Sequence, residues 1–337
     1  MSTLTEVVPA PADAAGTRVV EHVVEVDAPV ERVWRLIADA TEWPLFFPPS
    51  VHVERSLLER SAGGVETERL AIWATANGEV KHWTSRRRLD PAARAITFRQ
   101  ERSVAPVASM GGEWTFEELP GGRTRVLLQH DFRAVDDDPE GLAWIERAVD
   151  TNSTAELAGL ARLAVRAGSD ELRLDFEDAV QVTGSAQDVY DFLDAARLWP
   201  QRLGHVAAVE LIETVPGQQV LRMDTRAVDG SVHTTESVRI CTPVERIVYK
   251  QTKVPALMTA HTGRWTVITD GDVVRASSQH TVLLNPDAVT AVLGPDATID
   301  TAREFVHRAL STNSMLTLTH AKRFAEQRAT AGPLDQP

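Results

Sequence analysis

The stretch HWTSRRRL, His82 to Leu89, places three consecutive arginines in a chain whose formal net charge is -13. Such a run is typical of a solvated sheet edge, of a docking patch for an acidic partner, or of a strand that turns one guanidinium into a pocket. Alternate side chains of a strand point to opposite faces, and one face would carry Trp83, Ser85, Arg87 and Leu89. Because that face holds the Trp and the Leu, we expect it to point inward. Composition alone favours a strand Arg87 that is paired with an acidic neighbour, and burial beside Trp83 would be costly without a partner or a ligand.

A histidine suited to proton transfer lies on another predicted strand, Val126 to Phe132. His130 is placed to face the interior near the end of its domain, and imidazole titrates close to neutral pH. Gln129 is the alternative on the opposite face of the strand. Asp131 is a further candidate, and it shares the face of Gln129.

Three tryptophans are candidates for the wall of a binding site. Trp73, Trp83 and Trp114 all lie on predicted strands, and indole rings stack well on flat ligands. Isolated strand tryptophans are also common in plain cores, so both interpretations stay open.

Several functional classes lack their motifs. Cys241 is the only cysteine, which excludes an intrachain disulfide and a thiolate metal site, and we expect it to be a small buried side chain. No GxSxG, HExxH or phosphate-loop pattern occurs, which disfavours serine hydrolases, metalloproteases and nucleotide enzymes. The run Asp136-Asp137-Asp138 lacks the spacing of a calcium loop and is interpreted as a solvated turn before a helix.

Chain length, composition and net charge limit the possible architectures. A chain of 337 residues favours two domains, and 43% hydrophobic with 25% charged residues is typical of an ordinary globular protein. The net charge argues against general affinity for nucleic acid or an anionic membrane. Residues 1–17 lack the basic start and apolar core of a signal peptide, so we expect a disordered tail and a cytoplasmic location.

The chain contains one pattern twice. VVEVDAPVERVWRLIADATEWP, Val23 to Pro44, aligns without a gap on AVQVTGSAQDVYDFLDAARLWP, Ala179 to Pro200. Later positions match in unchanged order, among them Arg88 with Arg239, Phe98 with Tyr249, Gln100 with Gln251, Gly112 with Gly263, Trp114 with Trp265, and His130 with His280. This indicates a tandem duplication, with one domain at 18–168, a second at 169–329 and a tail at 330–337.

Each copy predicts an α+β fold. A strand is followed by two short helices, then by alternating runs separated by turn signals such as Asn77-Gly78, and finally by a long segment with helical spacing. We therefore expect tandem helix-grip domains, each a curved antiparallel sheet wrapped around a long C-terminal helix. The space that such a sheet leaves beside the helix becomes an internal cavity.

At this point the sequence resembles a known family. The order of elements, Trp43-Pro44, the strand HWTSRRRL and the segment PVASMGGEWTF, Pro106 to Phe116, are similar to the aromatase/cyclases of bacterial type II polyketide synthases, of the Bet v 1 or START-like superfamily. The tandem arrangement resembles the two-domain subclass. The resemblance implies a cyclase that receives a poly-β-ketone from an acyl carrier protein, closes the first ring between carbons 7 and 12, and dehydrates it. It implies no cofactor and no metal, and a ketoreductase among the partner synthase subunits.

The resemblance assigns roles to the candidate residues. Arg87 and Ser85 match pocket positions of the related single-domain enzymes, and an arginine would hold the ketone oxygen on which charge gathers during ring closure. His130 would be the acid or base of the dehydration. Independently of the resemblance, the candidate substrate-binding residues are Trp73, Trp83, Trp114, Gln129 and Asp131. The exposed Arg86 and Arg88 would offer a contact for an acidic carrier protein.

The two copies are predicted to be unequal. In the gapless comparison, Val238 occupies the position of Arg87 and Arg239 that of the outer Arg88. On that basis we expect the first domain to be catalytic and the second to be structural or accessory. The second domain would be a structural partner, would shape the entrance, or would act on a later intermediate with Glu236 as a base. The repeated Thr-Asn-Ser of the long helices is interpreted as structural.

Two other functions stay open. The same cavity would suit a non-catalytic carrier or sensor of a hydrophobic molecule, or a chaperone for spontaneous cyclisation. A polar interior with Arg87 inside would favour an enzyme, and an apolar interior with Arg87 paired at the surface would favour a carrier.

Overall fold

The computed structural model describes residues 4–9, 16–166, 169–226, 230, 232–271 and 273–331. The chain forms two compact units, Met1–Ala167 and Gly168–Pro337. Of the tail expected at 330–337, residues 332–337 lie outside the described part of the chain, and residues 330 and 331 belong to a helix.

The N-terminal domain has eight strands and two α-helices. They are β1 (Leu4–Pro9), β2 (Arg18–Val26), α1 (Val30–Ala38), β3 (Ser50–Arg60), β4 (Glu66–Ala76), β5 (Glu79–Asp90), β6 (Ala95–Arg102), β7 (Val107–Leu119), β8 (Arg123–Ala134) and α2 (Pro139–Ala164). A short 3-10 helix, Ala40–Leu45, follows α1. The strands form one antiparallel sheet in the order β1-β2-β8-β7-β6-β5-β4-β3.

Local sequence explains where these elements end. Asn77 and Gly78 both have positive φ, which the tight turn between β4 and β5 requires and which Asn and Gly adopt at least cost. The helix α2 begins at Pro139, and the Asp138 carboxylate accepts a hydrogen bond from the Gly141 N–H at 2.8 Å. The last residue of the acidic run is therefore a helix cap.

The long helix packs on the inner face of the sheet. Contacts of α2 run to β2, β7 and β8, which are neighbours in the sheet. A buried apolar cluster fills one end of this interface, and its members include Val26, Val33, Ile37, Leu128, Leu157 and Leu160. A cavity remains beside the middle of α2, where Ala148, Asn152 and Ser153 line it, as the expected helix-grip fold requires.

The C-terminal domain repeats the plan. Its elements are β9 (Arg173–Val182), α3 (Ala186–Asp194), α4 (Trp199–Arg202), β10 (Val206–Val215), β11 (Gln218–Arg226), β12 (Val232–Thr242), β13 (Arg246–Lys253), β14 (Met258–Asp270), β15 (Val273–Leu284), α5 (Val289–Leu293) and α6 (Ile299–Ala331). The sheet order is β10-β11-β12-β13-β14-β15-β9, and α6 packs on β9 and β15. The tandem α+β helix-grip prediction is confirmed.

The expected disordered tail is wrong in one part. Leu4–Pro9 forms a strand that pairs antiparallel with β2. Without it β2 would be a sheet edge with unpaired backbone groups, and such an edge readily accepts another strand.

Candidate active site

The N-terminal domain encloses a cavity beneath β5, here named the Arg87 chamber. Its volume is about 100 Å³. Most of its lining is apolar or aromatic, with a few polar groups; the lining includes Trp43, Phe47, Ile72, Trp83, Ser85, Arg87, Phe98, Gln100, Trp114 and His130. An apolar wall with few polar groups is typical of a small-molecule site.

Arg87 points inward, as the alternation of β5 predicts, and is 2% exposed. Its Nε donates to the Glu68 carboxylate, Nη1 donates to the Ile37 carbonyl at 2.9 Å, and Nη2 donates to the Ala38 carbonyl. Glu68 lies on β4 directly opposite Arg87 and is fully buried. Arg87 is thus both a cavity residue and half of a buried ion pair, so each of the two sequence interpretations is correct in part.

Trp43, whose Trp-Pro pair recurs as Trp199-Pro200 in the second copy, contacts Arg87. The Arg87 guanidinium lies 5.2 Å from the centre of the Trp43 ring, and the indole Nε1 donates to the Ile37 carbonyl at 3.2 Å. The same carbonyl accepts from Arg87, so the indole and the guanidinium hold each other in place.

Ser85 and two of the predicted tryptophans also line this chamber. Ser85 is buried, and its hydroxyl donates to the Arg99 carbonyl at 3.1 Å. Trp114 is stacked parallel to Phe47 with ring centres 6.2 Å apart, and Trp83 lies where two chambers adjoin.

His130 faces the interior from β8. Its ring meets the Phe98 ring edge-on at 5.3 Å, and its buried Nδ1 has no hydrogen-bond partner among the described residues. Burial lowers the pKa of His130 to about 3, so the imidazole is neutral at physiological pH. A neutral imidazole accepts protons and is not a ready-made acid.

Four cavity residues form a row across the sheet. Arg87 pairs with Phe98 on β6, Phe98 pairs with Gly112 on β7, and Gly112 pairs with His130 on β8. Directly paired residues of neighbouring strands point to the same face. A Cβ atom at Gly112 would overlap the Phe98 ring and the Gln129 carbonyl, so glycine is what lets the aromatic ring lie across the row.

A second chamber adjoins the first and is here named the Trp144 chamber. Its volume is about 140 Å³, and Trp83, Gln100 and His130 belong to the walls of both chambers. Asn152 and Ser153 of α2 also line it, and the Asn152 amide donates to the Thr75 carbonyl at 3.0 Å. The repeated Thr-Asn-Ser therefore does more than pack the helix, because two of its residues face the cavity.

Three predicted wall residues do not line either chamber. Trp73 lies on the outer face of β4, where its ring stacks on His82 at 4.2 Å. Gln129 and Asp131 lie on the outer face of β8, and Asp131 binds both terminal nitrogens of Arg99. The predicted placement of these three in the cavity is wrong, because strand alternation puts them on the face opposite Ile72 and His130.

The outer arginines of β5 are exposed as predicted. Arg86 donates to Glu101 and Arg88 donates to Asp90, both at 2.9 Å. Each guanidinium is thus already beside a carboxylate of its own domain. A contact with an acidic carrier protein stays a prediction, and it would have to compete with these pairs.

The C-terminal domain also has a cavity, with a volume of about 140 Å³. Arg239 lines it, is 1% exposed and lies 5.2 Å from the centre of the Trp199 ring, as Arg87 does over Trp43. The prediction that Arg239 faces outward and that Val238 replaces Arg87 is therefore wrong. Ser85 and Arg87 correspond in space to Ser237 and Arg239, which keep the same inward face.

The cause of this error is a difference in turn length. Asp90 pairs with Ala95 across the β5–β6 turn, whereas Thr242 pairs with Arg246 across the β12–β13 turn, which is one residue shorter. A gapless comparison slips by one residue upstream of the turn, and such a slip moves every side chain to the other face.

Sequence reasoning missed several residues that line the cavity or hold its wall in place. Phe98, Gln100 and Glu68 were given no role, although Phe98 and Gln100 recur as Tyr249 and Gln251. Recurrence at matched positions was the signal that could have identified them. Glu68 has no such signal, because Gln219 lies opposite Arg239 on β11.

Neither a metal cluster nor a membrane-spanning helix is found among the described residues. Within the described residues, no group of three or more His, Cys, Asp or Glu is placed to hold a metal ion. No described helix has the length and apolar character needed to cross a bilayer.

Comparison with known proteins agrees with this geometry. Residues 17–165 match the family described as "Polyketide cyclase / dehydrase and lipid transport". The granaticin polyketide synthase bifunctional cyclase/dehydratase of Streptomyces violaceoruber is 45% identical over 309 residues, covering 91% of this chain and 94% of that protein. The actinorhodin polyketide synthase bifunctional cyclase/dehydratase of Streptomyces coelicolor is 42% identical over 329 residues, covering 94% and 98%.

Solved structures support the same relationship over both domains. The di-domain ARO/CYC BexL of the BE-7585A biosynthetic pathway has 55% identity and a TM-score of 0.79, covering 92% of this chain and 99% of its own. StfQ of the steffimycin pathway, also a di-domain ARO/CYC, has 36% identity and a TM-score of 0.77 with the same coverage. The chain belongs to the polyketide cyclase/dehydratase family, in its di-domain aromatase/cyclase form.

Proposed function

We propose that this protein is a cofactor-independent aromatase/cyclase of an aromatic polyketide antibiotic pathway. Its substrate is a poly-β-ketone bound to an acyl carrier protein. The protein promotes aldol closure of the first ring between carbons 7 and 12, dehydrative aromatisation of that ring, or both. The observation that carries the proposal is the row from Arg87 to His130 inside a largely apolar cavity.

The row fits the chemistry of ring closure. A proton leaves the carbon that attacks, and the ketone oxygen gathers negative charge as the carbon–carbon bond forms. Arg87 keeps a second N–H on each terminal nitrogen beyond those given to the Ile37 and Ala38 carbonyls, and these suit the charged oxygen. The neutral His130 suits the proton acceptor, because its Nδ1 has no other partner among the described residues.

The cavity walls fit a flexible chain that becomes a flat ring. Trp83, Trp114 and Phe47 provide aromatic surfaces against which a bent chain can be held. Holding the two reacting carbons near each other supplies part of the acceleration even before any proton moves. The N-terminal domain is therefore proposed to carry ring closure. The proposed partners are the carrier protein, a ketoreductase and the other synthase subunits, and the names of the relatives support a place in such a synthase.

A non-catalytic carrier is the alternative, and the two functions respond differently to a ring substitution. Reconstitution with a minimal polyketide synthase, with and without the ketoreductase, would compare wild type with His130→Phe and Ala148→Phe. Ala148 lines the Trp144 chamber from α2, so the larger ring fills that space without replacing a member of the row.

We expect His130→Phe to lower the rate of forming the cyclised species by about 100-fold while chains still enter the cavity. Ala148→Phe should abolish the directed product. If Ala148→Phe abolishes the directed product but His130→Phe leaves the product distribution unchanged, the protein is a chaperone or carrier and the proposal fails.

A further inference from the structure

The C-terminal domain contains a corresponding row in which a tyrosine takes the place of the phenylalanine. Arg239 pairs with Tyr249 on β13, Tyr249 with Gly263 on β14, and Gly263 with His280 on β15. The row is Arg-Tyr-Gly-His where the first domain has Arg-Phe-Gly-His. A Cβ atom at Gly263 would overlap the Tyr249 phenol, so this glycine likewise lets the ring cross the row.

The phenol ends beside an imidazole whose orientation is fixed from the other side. The His280 Nε2 lies 3.3 Å from the Ser314 hydroxyl, and that hydroxyl donates to Asp178 at 2.8 Å. The Ser314 hydroxyl has acceptors for its proton in the Asp178 carboxylate and in the Leu310 carbonyl, both at 2.8 Å, so its oxygen accepts from His280 and Nε2 is the protonated nitrogen. The Ser278 hydroxyl lies 3.0 Å from the same Nε2 and is a second acceptor for its proton. The lone pair of His280 Nδ1 then faces the Tyr249 hydroxyl at 3.2 Å and His261 Nε2 at 3.0 Å.

These groups are buried yet reach the cavity. His261, His280 and Ser314 are each less than 5% exposed, and all three line the cavity with Tyr249. Burial lowers the pKa of His280 to about 4 and raises the pKa of Tyr249. At neutral pH the imidazole is therefore uncharged and the phenol keeps its proton, which is the state that donates to a departing oxygen.

Arg239 differs from Arg87 in its partners. It donates one hydrogen bond, from Nη2 to the Leu193 carbonyl at 2.6 Å, and its buried Nε and Nη1 have no acceptor within the described part of the chain. The residue opposite is Gln219, whose amide donates to Asp194 and Glu213 instead. A buried guanidinium with free donors costs stability, and an oxygen of a bound ligand would relieve that cost.

We propose that the C-terminal cavity is a second reaction site, which removes water from the β-hydroxy ketone that ring closure produces. Arg239 holds the ketone oxygen. The proton on the carbon between ketone and hydroxyl goes to His280 Nδ1, and its electron pair forms the double bond as the carbon–oxygen bond breaks. The leaving hydroxyl takes the Tyr249 proton and departs as water. The proton on His280 then returns to Tyr249, so both groups end as they began.

This inference rests on the proposed function, because the first cavity must supply the hydroxy ketone. It assigns the two steps to different cavities. The first has a ring without a hydroxyl at the centre of its row, and the second has a phenol within hydrogen-bond distance of His280.

The chain offers its own matched variant for the test. Tyr249→Phe converts the second row into the row that the first domain already folds with. In the reconstituted synthase, time-resolved mass spectrometry would separate the cyclised species that still holds the water from the aromatised product. We expect Tyr249→Phe to slow water loss by about 100-fold, so that the hydrated cyclised species accumulates.

Binding gives a readout that is independent of turnover. Titration calorimetry with 1,8-dihydroxyanthraquinone, a flat probe with a carbonyl between two hydroxyls, would compare wild type with Arg239→Met. We expect one class of site to weaken by roughly 10- to 100-fold, the value of a hydrogen bond to a charged group. Unchanged water loss in Tyr249→Phe, or unchanged affinity in Arg239→Met, would overturn the second site. Neither result touches ring closure, which the His130→Phe variant tests separately.

Discussion

We expect replacement of a buried arginine by methionine to change the stability of the two domains differently. Arg87→Met breaks hydrogen bonds to Glu68, Ile37 and Ala38 and leaves the buried Glu68 carboxylate with Arg55, which is partly exposed, as its remaining cationic partner. Removing one partner of a buried ion pair typically costs about 3–5 kcal/mol, because the remaining charge stays desolvated. Because Arg55 still offsets part of that charge, we expect the N-terminal domain to lose about 3 kcal/mol, the lower end of that range.

Arg239→Met removes a charge that has no paired carboxylate. It breaks one hydrogen bond to the Leu193 carbonyl, worth about 2 kcal/mol because the donor is charged, and it relieves the desolvation of the cation, which offsets this loss. The methionine chain can still pack on Trp199. We expect the stability of the C-terminal domain to stay within about 1 kcal/mol of wild type or to rise.

Hydrogen exchange during urea unfolding measures each domain separately, with peptides from α2 and α6 as reporters. The double variant Glu68→Leu/Arg87→Met is the control. It removes both charges of the pair and leaves Arg55, whose side chain is 34% exposed and stays hydrated. The double variant should recover at least about 2 kcal/mol of the loss from Arg87→Met. Equal losses in the two domains would refute the distinction between a paired and an unpaired arginine.

Three further changes have expected outcomes. Burial lowers the pKa of His130 from 6.5 to about 3, so between these pH values only the unfolded domain takes up this proton. His130 therefore lowers the stability of the domain by about 2 kcal/mol from pH 7 to pH 5. His130→Phe should remove this contribution from the pH dependence measured in urea titrations. In Gly159→Ala the new Cβ would overlap the Phe46 carbonyl, so α2 must shift and the melting temperature should drop by several degrees. Asn152→Ala removes the bond to the Thr75 carbonyl and should cost about 1 kcal/mol, measured by the same exchange assay.

The sequence was sufficient for the architecture because its signals are local and repeated. The strand predicted to begin each copy is present as Arg18–Val26 in the first domain and as Arg173–Val182 in the second, and Asn77-Gly78 forms the predicted turn. The edge strand Leu4–Pro9 was missed because its pairing with β2 depends on an edge that exists only once the sheet has formed.

The residues of the site could be predicted only within a single strand, where side chains alternate between the two faces of the sheet. Inside one strand, alternation placed Arg87, Ser85 and Trp83 correctly. It gives no distance between strands, so Glu68 could not be recognised as the partner of Arg87. Across the duplication it failed for Arg239, because one residue in a turn decides the face of a whole strand.

The duplication turns the differences between the domains into the most informative part of the structure. Both rows keep the arginine, the glycine and the histidine, and both arginines lie over a tryptophan at 5.2 Å. What changes is the chemistry around them, with Phe98 replaced by Tyr249 and Glu68 by Gln219. The first change adds a proton donor, and the second removes the carboxylate that neutralises the cation. The first change adds a polar group to the cavity wall and the second leaves the buried Arg239 cation without a paired carboxylate, and selection for packing alone would favour neither. A role in binding an oxygen-bearing ligand accounts for both changes together.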